Sequence, residues 1–277
     1  MKRSKIFFLI AGAFFLFSCS KNQEKYHFIK GDDLGFFIFD DFIKEFNDQS
    51  KIVKYQFTGG GAQTGLFSLM DETVDVVFSL KELNNEDLAL LKSKKINLEI
   101  IPIIRVPIIF ISHKTLPIAN VNQKQMKAIA SGYTKYWWQM GTRKERNILA
   151  EFGEIEFASL DSRNGEYHFV RKWLNLNDFD LDSHYSKHNS EIQDYVSQNI
   201  SSIGYLALPF YNKTEDTKII FSDQSLESTG YLMINKNSFK QSGEKEKFII
   251  SFKNYLSSNS LNLLQKGIKV INETQSE

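Results

Sequence analysis

The sequence is poor in the residues that form crosslinks, linkers and chain breaks. Its 277 residues include one cysteine, Cys19, with only 4 prolines and 15 glycines. A single thiol excludes an intrachain disulfide and any metal site built from several thiolates. The scarcity of glycine and proline argues against long flexible linkers, while 42% hydrophobic residues provide ample material for a core. The chain is therefore globular, with the length of one large domain or two ordinary ones.

Net charge is almost absent as well, because 34 Lys and Arg residues stand against 33 Asp and Glu residues. The basic excess that draws a protein to nucleic acid is missing, so no nucleic-acid partner is expected. The sequence also contains neither a P-loop nor a GxGxxG motif. We therefore predict no cofactor, and any ATP would be bound by a partner.

Signals of catalysis are few. The chain has no Gly-x-Ser-x-Gly elbow, and no free cysteine remains if Cys19 is acylated. His184 and His188 have the i, i+4 spacing that can hold a metal on a helix, but the segment lacks apolar periodicity, which favours an exposed loop. We predict neither an enzyme nor a metal site. A Ser-His-Asp set assembled in space is the remaining catalytic alternative.

The longest apolar run lies near the N-terminus. It covers residues 6–17 and follows a positively charged start that contains Lys2, Arg3 and Lys5. Spanning a bilayer as a helix takes roughly 20 residues, so this run is too short. The pattern instead predicts a secretory signal peptide over residues 1–18.

The end of this run contains a candidate lipid anchor. The segment Leu16-Phe17-Ser18-Cys19 resembles a bacterial lipobox, whose cysteine is acylated and becomes the mature N-terminus. The resemblance implies a protein anchored to a membrane through Cys19 and a tether of residues 19–27, facing the periplasm or the cell exterior. The alternatives are an ordinary signal peptide and an uncleaved anchor.

The rest of the chain alternates short apolar runs with segments of helical periodicity, which is typical of an α/β fold. Apolar residues at 36, 39, 42, 43 and 46 predict a helix. Residues 100–112 are β-rich, but Pro102 and Pro107 argue against a regular central strand and indicate a crossing between lobes.

Several of the predicted strands end in turns that contain Gly or Ser and lead into a helix. Such turns direct backbone N–H groups and a positive helix terminus at one point, which suits the capture of an anion. The turns are residues 31–35, 58–65, 79–81 and 160–166.

Five segments, in this order, resemble the phosphate-binding proteins of phosphate ABC transporters, a branch of the two-lobed periplasmic solute-binding proteins. They are a glycine loop, an Asp-led strand with a Ser turn, a helix with an aromatic-Trp stretch, an Ile-Gly-Tyr strand and terminal helices, at residues 59–66, 74–79, 123–141, 202–205 and 248–267. The resemblance covers most of residues 28–268. It implies a type II periplasmic-binding-protein fold, in which each lobe is a mixed sheet flanked by helices and two hinge strands join the lobes.

The resemblance also implies an arrangement of lobes and a function. Residues 28–105 and 207–277 would form lobe I, and residues 106–206 would form lobe II. A monomer would capture inorganic phosphate or a similar small oxyanion between the lobes, and hinge bending near Arg105 and Gly204 would close the cleft. The bound anion would then be delivered to an ABC permease, with nothing chemically transformed.

The anion-binding turns of the family correspond to nine positions in this chain. The resemblance implies ligand contacts from Asp33, Leu34 (backbone), Ala62 (backbone), Gln63, Thr64, Ser79, Arg163, Asn164 and Gly165. Arg163, or another base of the cleft such as Lys81, is expected to neutralise the anion.

The chain departs from the family chiefly at the ligand. Asp32 and Asp33 stand where the family offers Thr or Ser, and Ala62 replaces the Ser of the glycine loop. Glu166 replaces a hydroxyl and would repel an anion if it faces the cleft. A simpler interpretation of Asp32 and Asp33 is that they cap the following helix. These departures keep a second hypothesis open, in which the site is degenerate and an envelope lipoprotein of this fold acts through protein contacts or binds another small solute.

Overall fold

The computed structural model describes residues 25–50, 53–213, 216–239 and 243–271. The predicted signal peptide, the lipidation site Cys19 and residues 19–24 of the tether lie outside the described residues. No helix in the described ranges combines the length and the apolarity that crossing a membrane requires.

Ten strands of the described residues form one mixed sheet. In chain order they are β1 (Lys25–Gly31), β2 (Val53–Thr58), β3 (Val76–Ser79), β4 (Leu98–His113), β5 (Glu156–Leu160), β6 (His184–Ser186), β7 (Ser202–Ala207), β8 (Thr217–Phe221), β9 (Glu227–Asn235) and β10 (Lys269–Val270). Neighbouring strands follow the order β2-β1-β3-β9-β4-β7-β5-β6, while β8 and β10 also pair with β4. The mixed α/β class expected from the sequence is confirmed.

Ten α-helices of the same ranges connect these strands. They are α1 (Gly35–Gln49), α2 (Ala62–Met70), α3 (Asn85–Ser93), α4 (Gln123–Ala130), α5 (Arg146–Ala150), α6 (Gly165–Trp173), α7 (Asn189–Gln198), α8 (Lys236–Phe239), α9 (Gly243–Ser258) and α10 (Ser260–Gln265). Helix α1 confirms the helix predicted around Phe36–Phe46, and its buried face includes Ile38, Phe39, Phe42 and Ile43. The ring of Phe39 stacks on Phe57 of β2 and on Phe252 of α9, which ties α1 to the sheet and to the end of the chain.

Strand β4 joins two halves of the sheet. Its first part, up to Pro107, pairs with β9, and its second part, from Ile108, pairs with β7 and β8. We call β1, β2, β3 and β9 with their helices the first half, and β5, β6, β7 and β8 with theirs the second half.

The expectation that two prolines interrupt residues 100–112 as a strand is wrong. Strand β4 continues for 16 residues through Pro102 and Pro107. At both prolines β4 pairs with β9 alone among the described residues, and an unpaired edge tolerates a residue without an N–H donor. The pairing also shifts register between Pro102 and Ile104, so the sheet absorbs the first proline as an irregularity.

The chain remains in the second half of the sheet beyond the end of β7. After β7, strand β8 still pairs with the second part of β4, and the chain returns to the first half at Glu227, where β9 begins. The lobe boundaries expected from the sequence, at residues 105/106 and 206/207, stay a prediction, and the strand pairing favours a later return.

Candidate functional site

The ends of four strands lie together at one edge of the sheet. Strand β1 is parallel to β2 and β3, so the turns that follow Gly31, Thr58 and Ser79 are neighbours. The turn after β5 reaches the same place from the second half, because the Gln63 N–H donates to the carbonyl oxygen of Arg163 at 3.0 Å. Ligands of open α/β sheets bind at this kind of edge, outside the carboxyl ends of the strands.

The carboxylate of Asp32 lies at the centre of these turns. Its Oδ1 accepts from the backbone N–H groups of Ala62 and Gly165, both at 2.9 Å. Its Oδ2 accepts from the backbone N–H of Leu80 at 2.7 Å. The side chain is 0% exposed. Three N–H groups from three turns therefore form a cluster around one small anionic group, and we call them the N–H cluster.

Two donors of the N–H cluster are the first residues of helices. Ala62 begins α2 and Gly165 begins α6, and each helix has 9 residues. The first N–H groups of a helix have no intrahelical acceptor, and the helix dipole adds partial positive charge there. Both helix termini point at Asp32, which accounts for a buried carboxylate at this position.

Two glycines allow the halves of the sheet to meet at this point. A Cβ at Gly61 would lie 2.5 Å from the carbonyl oxygen of Arg163, and the φ of Gly61 is +86°. A Cβ at Gly165 would lie 2.6 Å from Oδ2 of Asp32. Any larger residue at either position would push the second half away from the first.

Glu166 provides a second buried carboxyl group. Asn189 Nδ2 donates to its Oε1 at 3.0 Å, and its Oε2 has no hydrogen-bond partner within the described part of the chain. Burial raises the pKa of Glu166 to about 8, and the negative charge of Asp32 acts in the same direction. The group is therefore protonated at neutral pH and is a potential O–H donor. It does not carry the repelling charge expected from the sequence.

Asp32 has the opposite protonation state. Burial raises its pKa to about 6, and the three N–H donors of Leu80, Gly165 and Ala62 lower it. At pH 7.5 the group is ionised. The site thus contains one carboxylate held by backbone donors and one neutral carboxylic acid.

A further bond between the halves lies next to this centre. Oδ2 of Asp33 is 2.6 Å from Nδ1 of His188, which precedes α7 in the second half. His184 lies in β6, where its ring stacks on Tyr195, and His188 precedes α7, so the two exposed histidines do not share a helix. No group of three or more His, Cys, Asp or Glu side chains in the described ranges has the arrangement of a metal site.

The two basic residues expected to neutralise an anion are bound to other carboxylates. Arg163 makes a bidentate contact with Asp161, because both side chains project from the same turn, and Arg163 is about half exposed. Lys81 Nζ contacts both oxygens of Asp87, at 2.8 and 2.9 Å. Within the described contacts, neither base forms a hydrogen bond or an ion pair with Asp32. Both bases are thus paired with carboxylates of their own half, and their expected role in neutralising the anion stays a prediction.

The other expected ligand residues have varied surroundings. Ser79 Oγ accepts from the Lys81 N–H at 2.9 Å and so closes its own turn, and Gln63 Oε1 accepts from Lys81 Nζ. Asn164 Nδ2 donates to the carbonyl oxygen of Lys187. The side chain of Leu34 belongs to the hydrophobic core, and Thr64 is half-buried in the first turn of α2.

Sequence reasoning missed the centre of the site. It identified Ala62 and Gly165 as donors, but it treated Asp32 as a departure from a pattern and did not include Leu80. The available signal was positional, because Asp32 follows β1 directly, at the strand edge where the other turns meet. What the sequence could not reveal is that the carboxylate turns inward.

A groove of about 880 Å³ lies between the halves beside this centre. Leu80 and Lys81 of the first half and His168 and Trp173 of the second half line it. Leu80, whose backbone N–H donates to Asp32, belongs to both the groove and the N–H cluster.

This fold, with a polar site between the two halves of the sheet, defines the class of two-lobed solute-binding proteins. The chain belongs to the PBP superfamily, since the model of the PBP superfamily domain matches residues 21–256. The family model and the relatives described next confirm the resemblance to phosphate-binding proteins noted in the sequence.

Three relatives illustrate the likeness. A curated relative, the phosphate-binding protein PstS of Borreliella burgdorferi, is 24% identical over 221 residues, which are 76% of this chain and 74% of that protein. A Clostridium perfringens structure, described as a phosphate ABC transporter substrate-binding protein with bound phosphate, matches with a TM-score of 0.72 and 14% identity, over 90% of this chain and 100% of that one. An ABC-type phosphate transport receptor of Vibrio cholerae matches with a TM-score of 0.67 and 16% identity, over 88% and 99%. At these identities the structures share the fold.

Proposed function

We propose that this chain is an extracytoplasmic solute-binding lipoprotein that captures a small oxyanion, inorganic phosphate in the first place, and delivers it to an ABC permease. The observation that carries the proposal is the N–H cluster, in which donors from both halves of the sheet converge on one buried point. Backbone N–H groups at helix termini suit phosphate, and phosphate appears in the names of the three relatives. The lipid anchor at Cys19 and the permease partner rest on the sequence resemblance.

The bound oxyanion takes the place of the Asp32 carboxylate. Its oxygens accept from the N–H groups of Ala62, Leu80 and Gly165, the three donors that Asp32 now uses. The protonated Oε2 of Glu166, which has no partner among the described residues, then donates to the same anion. Charge-assisted hydrogen bonds of this kind are about twice as strong as neutral ones, and they compensate for the absence of a facing guanidinium.

Calorimetric titration of the soluble form that begins at Ser20 tests this function. The protein is first unfolded and refolded to remove any anion carried through purification, and phosphate and sulfate are then titrated at pH 7. We expect saturable binding of phosphate and weaker binding of sulfate, because phosphate retains a proton at this pH and sulfate brings full charge to a site without a facing cation. Equal affinity for both anions, or heat from neither, would contradict the proposal.

One observation favours a second function. Because Asp32 already satisfies the N–H cluster, the same fold is able to persist as an envelope lipoprotein whose oxyanion site is degenerate. Such a protein would act through protein contacts or bind another small solute, for which the groove beside Leu80 offers the space. Absence of binding with both anions is the result this alternative predicts.

A further inference from the structure

We propose that Asp32 is an internal ligand: its carboxylate takes the anion position of the N–H cluster in the absence of solute, joins the two halves of the sheet, and must be displaced when an oxyanion binds. The inference rests on the proposed function for the identity of the competing anion. Its structural part, closure by Asp32, stands on contacts within this chain.

The first argument is the connectivity of the bonds. Asp32 follows β1 in the first half, and Gly165, which donates to it, lies 133 residues further along in the second half. The other two donors, Ala62 and Leu80, belong to the first half. One carboxylate therefore crosslinks the halves, as a bound anion does when it closes a cleft.

The second argument is charge. Arg163 is paired with Asp161, and Lys81 is paired with Asp87, so the described contacts place no cation on Asp32. The charge of Asp32 is stabilised by backbone N–H groups alone. A second anion within hydrogen-bond distance of the same donors would meet an uncompensated like charge at low local dielectric, so Asp32 and a solute oxyanion exclude each other.

The third argument is space. The side chain of Asp32 is fully buried, and the positions around it do not accept even a methyl group without a clash. A Cβ at Gly165 would lie 2.6 Å from both Oδ2 of Asp32 and the backbone nitrogen of Lys81. The carboxylate therefore fills the point where the donors converge, and an oxyanion enters only after Asp32 has moved.

A neighbouring contact also joins the two halves of the sheet. The carboxylate of Asp33 reaches His188 of the second half at 2.6 Å, so two consecutive acidic residues of the first half bind the second half. Asp33 sits 7% exposed and His188 is about half exposed, which places this bond at the rim and the Asp32 bonds at the centre. Loss of Asp32 leaves the rim bond, the Gln63 N–H bond to Arg163 and the exposed Lys172–Glu82 ion pair as links between the halves, and exposed ion pairs are weak.

Competition of this kind reduces the apparent affinity for solute. The apparent affinity equals the intrinsic affinity multiplied by the fraction of protein in which Asp32 is displaced. Replacement of Asp32 by serine removes the internal anion and provides a hydroxyl of the kind the family has in this turn. We expect Asp32→Ser to bind phosphate at least roughly tenfold more tightly than the wild type. Asp71→Ser is the matched control, since it removes an exposed carboxylate of the same half.

Closure is measured separately by the distance between spin labels on the two halves. Cys19 is the only cysteine, so the soluble form from Ser20 accepts a clean label pair at Lys44→Cys of α1 and Lys124→Cys of α4, both exposed positions. Without phosphate, we expect one short distance in the wild type and in Asp71→Ser, and a longer, broader distribution in Asp32→Ser. Added phosphate should shorten the distance in Asp32→Ser alone.

The outcomes separate this inference from the proposed function. Tight phosphate binding by the wild type, with a distance that shortens on binding and no gain in Asp32→Ser, overturns the internal ligand and leaves the function intact. No phosphate binding by either protein, with an open Asp32→Ser, supports closure by Asp32 and overturns phosphate as the solute. If Asp32→Ser fails to fold, Asp32→Asn removes the charge but keeps an oxygen for the Gly165 N–H, and phosphate affinity no tighter than that of the wild type in this variant contradicts the inference.

Discussion

At the scale of single residues, the site is set by the environment of two carboxyl groups. Asp32 receives three backbone N–H bonds and is ionised at pH 7.5, whereas Glu166, one helical residue beyond Gly165, receives one side-chain bond and is protonated. Burial raises the pKa of both groups, three backbone N–H donors oppose the rise at Asp32, and the negative charge of Asp32 raises the pKa of Glu166 further. Mutual repulsion between two buried carboxylates is avoided because one of them keeps its proton.

The protonation of Glu166 predicts a dependence of stability on pH. Its pKa in the folded chain is about 8, above its ordinary value, so the folded state binds more protons and its stability falls as pH rises through this window. We expect the wild type to lose on the order of 2 kcal/mol of unfolding free energy between pH 6.5 and 9. Urea unfolding of Glu166→Gln, which is neutral at every pH, should show a much smaller loss. An equal loss in both proteins would place the titrating group elsewhere.

The contact between Arg163 and Asp161 predicts a weak role for a residue that the sequence favoured. Arg163 is about half exposed and paired within its own turn. Exposed pairs contribute about 0–1 kcal/mol, so Arg163→Ala should change phosphate affinity by less than about fivefold in the calorimeter. A loss of a hundredfold or more would mean that the guanidinium leaves Asp161 and contacts the anion in the bound state.

At the scale of elements, the sequence predicted most helices and strands. It did not predict the continuity of β4 or the orientation of Asp32. The apolar periodicity of α1 and the Gly and Ser turns after β2, β3 and β5 predicted where backbone donors would lie. Strand β4 passes through two prolines because its pairing there is one-sided, which no local pattern reveals. The inward orientation of Asp32 likewise depends on donors that are 30 to 133 residues away.

The turn before α2 predicts a specific requirement for glycine. Gly61 has a φ of +86°, and a Cβ there would lie 2.5 Å from the carbonyl oxygen of Arg163. We expect Gly61→Ala to lower the unfolding free energy by about 1–3 kcal/mol for its backbone conformation, with an added cost from separating the halves. Gly153→Ala is the matched control, since Gly153 also has a positive φ and a Cβ there has no neighbour within 4 Å. Equal effects of the two substitutions in thermal unfolding would show that the halves do not meet at Gly61.

At the scale of the whole molecule, the near-neutral charge and the mixed sheet agree with a binding protein that has a local anion site and no global field. The α/β class of the fold could be predicted from the sequence because it depends on the order of apolar runs and turns. The protonation of Glu166 and the pairing of Arg163 were not, because both depend on which side chains are brought together after folding.

The central claim is that the backbone N–H groups of Ala62, Leu80 and Gly165 form the anion site. Its most direct test is a phosphate titration of the isotopically labelled soluble form, followed through the backbone amide resonances. The account predicts that these three amides shift together along one saturation curve, while the amide of Gly243 does not move. Saturable shifts confined to the groove around Trp173, or no saturable shift at the three amides, would contradict it.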